Sequence, residues 1–214
     1  MIEHVQILNK YADKGYSMYS KIISENEWGN KEIASKYLKK YYLQEKEYKT
    51  LWKPIQNSIF QNENIGLPEK IFKEKFSLLA IRGGILFEKE DFEKLQNTIK
   101  KIGNKNLIII QNDFGGMVKK PLLRMKYPAN ITWSELMSGN FISTVLFEMF
   151  ANEYLVFSES GNWGKYSAND YDFPLDIIGF KHELASLFEE QFKQHNEDIE
   201  ELEKWLPLNY KKNK

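Results

Sequence analysis

Phe76-Ser77-Leu78-Leu79-Ala80-Ile81-Arg82-Gly83-Gly84 admits two readings, and the architecture of the chain follows from the choice between them. As a strand, it is an apolar run of the right length closed by a double glycine. The segment after it carries Phe92, Leu95, Ile99 and Ile102 at helical spacing, with Gly103 suited to a helix C-terminus. Leu107-Ile108-Ile109-Ile110 then forms a continuous, largely β-branched run, as in a strand buried on both faces. Together these predict a β-α-β unit whose strands are parallel and joined by a right-handed crossover. The second reading stays open. Pro68 at a first helical position, with Ile71, Phe72, Phe76 and Leu79, supports a helix running to Gly83.

Working outward, residues 1–65 read as helices. Val5, Leu8, Ala12, Tyr16 and Tyr19 outline one; a second, capped by Asn30, carries Ile33, Tyr37, Tyr41, Tyr48, Leu51, Trp52, Ile55 and Ile59 and is interrupted by Pro54. The pair predicts a helical hairpin. The polar run Asn62 to Asn64, followed by Ile65, Gly66, Leu67 and Pro68, marks the boundary to an α/β region over 66–214, packed with the hairpin as one compact unit. Beyond the β-α-β unit, Pro121 to Tyr127 predicts an antiparallel return strand. Thr132-Trp133-Ser134-Glu135 fits a capping box, and Gly139 marks a break in the helix after it. Glu153–Phe157 and Trp163–Ser167 predict a hairpin around Ser158 to Asn162. From Gly179 onward, Phe180, Leu184, Leu187, Phe188, Phe192, Ile199, Leu202 and Leu206 predict a long amphipathic helix. The fold class is therefore α+β or α/β: a helical hairpin on a mixed sheet, with a crossover helix and a long C-terminal helix.

Bulk composition narrows function by exclusion. Thirty basic residues balance thirty acidic ones, so no overall field draws the chain to nucleic acid or an anionic membrane. The absence of cysteine removes disulfides, thiolate nucleophiles and Cys-ligated zinc. With 42% hydrophobic and 14% aromatic residues in 214, a packed core is expected. No apolar run approaches membrane-spanning length, and the start reads as unexported, which together point to a cytoplasmic protein.

Two regions could carry chemistry. If the β-α-β unit holds, Arg82-Gly83-Gly84 and Asn112-Asp113-Phe114-Gly115-Gly116 both follow the carboxyl ends of parallel strands, where α/β sheets place ligands. Arg82 and Asp113 would then line a small-molecule pocket, or bridge two loops. The second region is Ser158 to Pro174. Trp163, Tyr166, Tyr171 and Phe173 alternate there with Asp170 and Asp172, a composition that suits an interface anchored by aromatics. Glu153, Glu159, Asp170 and Asp172 could also converge as an acid–base set, and Trp163 could instead fill the core against the C-terminal helix. Asn169 to Leu175 only faintly suggests a calcium loop, since Pro174 stands at its fifth position and Leu175 at the sixth, where glycine is expected. His4, His182 and His195 are too dispersed for a metal set. Asp113-Phe114-Gly115 lacks every companion of the kinase magnesium motif. No cofactor and no metal site is predicted. Ile199, Leu202, Trp205 and Leu206 offer a dimer face, compatible with a homo-oligomer.

Leu67-Pro68-Glu69, Gly83-Gly84, and Tyr154 to Phe157 with Gly161 and Tyr166 resemble the pattern of Smi1/Knr4-type bacterial immunity proteins. The resemblance goes with the helical reading of residues 68–82. It implies an α/β protein that binds a toxin without catalysis. The expected function is non-catalytic recognition of another protein through the aromatic–acidic hairpin and loop. The alternative is a small-molecule enzyme or ligand-binding protein at the glycine-lined strand exits.

Overall fold

A computed structural model describes residues 30–61, 71–83, 86–112, 122–147, 153–168 and 175–193. The helix expected over residues 5–19, the boundary at 62–68, Asp113 to Gly116, residues 169–174 and the C-terminal stripe from residue 194 lie outside the described residues.

Asn30 caps the first described helix, α1 (Lys31–Tyr41), by accepting from the amides of Glu32 and Ile33. The stripe expected to run on to Phe60 breaks at Tyr42–Gln44, not at Pro54. There Leu43 N–H donates to Arg124 O, and Tyr42 bridges Met125. Helix resumes as α2 (Glu45–Glu47), passes through one turn of π-helix (Tyr48–Trp52) and continues as α3 (Lys53–Ile59). Pro54 falls at the join between the π turn and the first turn of α3.

The quoted stretch is a strand: β1 spans Ser77–Arg82. It is followed by α4 (Lys89–Ile102), whose Phe92, Leu95 and Ile99 are buried, and which ends at left-handed Gly103, φ 85°. Strands β2 (Asn106–Asn112) and β3 (Arg124–Pro128) form the expected antiparallel pair. Thr132 Oγ1 accepts from Glu135 N–H at the start of α5 (Trp133–Leu136). The break at Gly139 is a 3-10 turn (Met137–Gly139) before α6 (Phe141–Phe147). The hairpin is β4 (Glu153–Phe157) and β5 (Trp163–Ala168).

Two expectations are corrected by the sheet, whose order is β1-β6-β5-β4-β2-β3. Residues Leu175–Phe180 form strand β6, paired with β5 on one side and β1 on the other. The C-terminal helix therefore starts later than Gly179: a 3-10 turn (His182–Leu184) leads into α7 (Ala185–Gln191). Secondly, β1 and β2 point the same way but do not pair, since β6, β5 and β4 stand between them. All pairings are antiparallel, and the class is α+β.

Helices cover both faces of this sheet. On one, Tyr37, Leu38 and Tyr41 of α1, Phe92, Leu95 and Ile99 of α4, Leu136 of α5 and Phe188 of α7 pack on Leu79, Ile109, Met125, Tyr127, Val156, Trp163 and Ile178. Tyr127 and Tyr37 hydroxyls bond at 2.8 Å in this layer. On the other face, Trp52, Ile59, Phe60, Ile71 and Phe72 cover Ala80, Ile108, Leu155, Tyr166 and Ile177. Gly164 and Gly179 are register partners on that second face. A Cβ on Gly164 would lie 2.6 Å from Phe60 Cζ, and one on Gly179 would overlap the Phe72 ring. The two glycines clear a trough for Phe60 and Phe72, whose centroids are 5.0 Å apart. Residues 30–61 thus share their core with the sheet.

Candidate functional site

Three strands, β1, β2 and β5, end at the same end of the sheet, where β4 and β6 begin. Alternation in β5 sends Lys165 and Ser167 to the α4 face and Tyr166 to the other. Each meets a polar partner, because neither face reaches water.

On the α4 face, Lys165 and Asp176 form an ion pair with both residues 2% exposed. Lys165 Nζ also donates to Leu86 O at 2.6 Å and sits 4.7 Å from the Phe87 ring centroid. The second Asp176 oxygen accepts from Ser167 Oγ at 2.8 Å. Burial pushes the Asp176 carboxyl above its ordinary range, against the pull of the Lys165 ammonium and the Ser167 hydroxyl. Gly83 is glycine for a steric reason: a Cβ there would lie 2.5 Å from Asp176 Oδ1 and 2.8 Å from its backbone nitrogen. A cleft of about 140 Å³ opens beside the pair, lined by Gly83, Phe87, Glu88, Asp91 and the two charged side chains. Sites for small organic ligands run from about 300 Å³ upward.

Across the sheet, Tyr166 O–H donates to Glu153 Oε1 at 2.6 Å, and Asn112 Nδ2 donates to Glu153 Oε2 at 2.9 Å. This network, like the first, closes on itself. A lysine held by a carboxylate is a poor base, and a carboxylate accepting on both oxygens is a poor nucleophile.

The candidate residues from the sequence scatter. Trp163 is fully buried, its ring 6.0 Å from Phe188 of α7, and Tyr166 is buried against Glu153. Neither can form part of a solvent-facing contact surface, a correction whose cause is the double cover of the sheet. Trp163 instead fills the core beneath the helix that follows β6. Arg82 is the last residue of β1, opposite Leu175. Asp113, Asp170, Tyr171 and Asp172 lie outside the described residues, although Asn112 and Ala168, which end β2 and β5, fall at the same end of the sheet as Arg82. The four-carboxylate convergence is not observed. Glu159 sits at the opposite end of β4 from Glu153, accepting from the amides of Lys105 and Asn106, the latter at 3.1 Å. His182 is exposed, next to Lys181, whose N–H donates to Asn162 O in the hairpin turn. Among the described residues, no three His, Asp or Glu side chains are placed to hold a metal, and no helix is long and apolar enough to cross a membrane.

The Lys165–Asp176 pair escaped the sequence reading, yet a signal existed. Asp176 interrupts an otherwise apolar run, and Lys165 shares a face with Trp163. A charge in such a place must find a counter-charge. Comparison with protein-family models, with curated proteins and with solved structures finds no match.

Proposed function

We propose that this chain recognises another protein without catalysing a reaction, using the connection between β5 and β6 that carries Asp170, Tyr171 and Asp172. The supporting observation is the closure of both polar networks at that end of the sheet. Lys165, Ser167 and Asp176 satisfy one another on one face, as do Asn112, Glu153 and Tyr166 on the other. The groups best placed to act on a small substrate are engaged inside the protein, and the cleft beside them is small for a metabolite. What the sequence places next along the chain is an acidic stretch around a tyrosine, the composition of a contact for a basic protein surface.

A toxin is the partner class implied by the resemblance to Smi1/Knr4-type proteins. Strand β1 removes the helical reading of residues 68–82 that accompanied this resemblance, so the partner is better defined by its charge. The test is affinity capture with the purified chain from lysate of its source cell, identification of the captured protein, and titration of that protein in purified form. Asp170→Asn with Asp172→Asn should weaken binding most at low ionic strength. Tyr171→Ala should weaken it by about tenfold or more, as loss of an aromatic anchor does. Unchanged affinity in the triple variant would overturn the proposal, as would saturable binding of a small molecule that Gly83→Ala abolishes.

A further inference from the structure

The end of the sheet where β4 stops and β5 starts has the opposite character to the ion-pair end. Three buried side-chain polar atoms among the described residues have no hydrogen-bond partner: Asn104 Oδ1, Ser158 Oγ and Trp163 Nε1. All three belong to this end and to the same face. The last pair of the hairpin is Phe157 with Gly164, so one step further Ser158 stands across from Trp163. Both then project to the α4 face, the side on which Val156 and Trp163 join the core. On the other flank of β4, Ile108 pairs with Phe157, which puts Ser158 opposite Leu107. Asn104 enters from the turn joining α4 to that strand, held by its own N–H to Ile99 O at 3.0 Å. Glu159 fixes this turn from the hairpin side by accepting from Lys105 and Asn106.

The chemistry of the three atoms is complementary to one molecule. The indole nitrogen can only donate, the amide oxygen can only accept, and the hydroxyl can do either. We propose that a single internal water occupies this position, accepting from Trp163 Nε1–H, donating to Asn104 Oδ1 and bonding to Ser158 Oγ. A water with three partners is the usual occupant of a buried polar site of this kind. Its role is to fasten three segments to one another: the α4–β2 turn, the end of β4 and the start of β5.

Solution NMR on the ¹⁵N-labelled full chain tests this through the indole Hε1 of Trp163, one of five tryptophans. A long-lived internal water gives NOE and ROE cross-peaks of opposite sign between this proton and the water resonance, with the indole itself slow to exchange. In Ser158→Ala the cross-peak should fall to background while the indole remains protected. A crystal structure supplies a second reading that needs no variant: density for one water within about 2.7–3.2 Å of all three atoms. Absence of the cross-peak in the wild-type chain would overturn the proposal. So would a cross-peak unchanged in Ser158→Ala, or a direct bond from Trp163 Nε1 to Asn104 Oδ1 or Ser158 Oγ.

Discussion

Lys165→Met keeps a long aliphatic stem in the core and removes only the ammonium. The loss is concentrated. Asp176 keeps its hydrogen bond from Ser167, Leu86 O loses its donor, and the Phe87 ring loses the cation over its face. Removing one member of a buried ion pair costs about 3–5 kcal/mol, because the remaining charge stays desolvated and uncompensated. A domain of ordinary stability holds about 5–15 kcal/mol, so the variant gives up about a fifth or more of a typical total. With a urea m-value of about 2 kcal/mol per M, the midpoint should fall by about 2 M. The double variant Lys165→Met with Asp176→Leu discriminates. It removes both charges together and, beyond the Leu86 O that already lacks its donor in the single variant, leaves Ser167 Oγ without its acceptor, a further loss of about 1 kcal/mol. It should therefore be more stable than the single variant by about 2 kcal/mol or more.

Acid should narrow the difference between wild type and Lys165→Met. The folded Asp176 carboxyl has its pKa raised above the ordinary carboxylate range, first through burial, with Lys165 opposing the rise. A carboxyl whose folded pKa exceeds its unfolded one contributes most to stability below the unfolded value, and that contribution declines as pH rises through the folded value. Removing the opposing ammonium raises the folded pKa further, so the variant suffers most at neutral pH. Urea titrations of both proteins between pH 7 and pH 4 measure this directly. A single variant within about 1 kcal/mol of wild type, or a double variant less stable than the single, would refute the reasoning about a desolvated pair.

Gly179→Ala places a methyl in the Phe72 ring, 2.9 Å from Cγ and nearer to two other ring carbons, where Phe60 blocks retreat. It should destabilise by about 1–3 kcal/mol in denaturant, with Phe72→Leu in the same chain recovering part of the loss. Trp163→Ala should cost about 3–5 kcal/mol, since the indole is fully buried against Phe188, and thermal unfolding should reveal this without any partner present. Glu45 has a lowered pKa, chiefly through its hydrogen bond from Arg124. Its stabilising contribution is therefore present above the ordinary glutamate value and lost as pH falls through the folded one. Glu45→Gln should flatten the acid limb of the stability profile below pH 4.5, and an unaltered limb would remove this pair from the account.

Features decided within a few residues were legible in the sequence. Asn30, Gly103 and Thr132 cap their helices because each satisfies backbone groups of its own turn, and the hairpin over 153–168 follows from its turn residues and alternation. What alternation cannot supply is the neighbour of a strand or the cover over a face. Strand β6 was missed because Leu175–Phe180 is extended only in company, with β5 on one side and β1 on the other, while Phe180 happens to start a plausible helical period. The burial of Tyr166 depends on cover from Trp52, Phe60 and Phe72, about a hundred residues earlier in the chain. Those same two omissions concealed the ion pair. Once β6 is set beside β5, Ser167 faces Asp176 and Lys165 faces Ile178 on a side roofed by helices, so Lys165 and Asp176 become buried diagonal neighbours. A sheet covered on both faces thus converts strand charges, which alternation alone would send to water, into internal pairs.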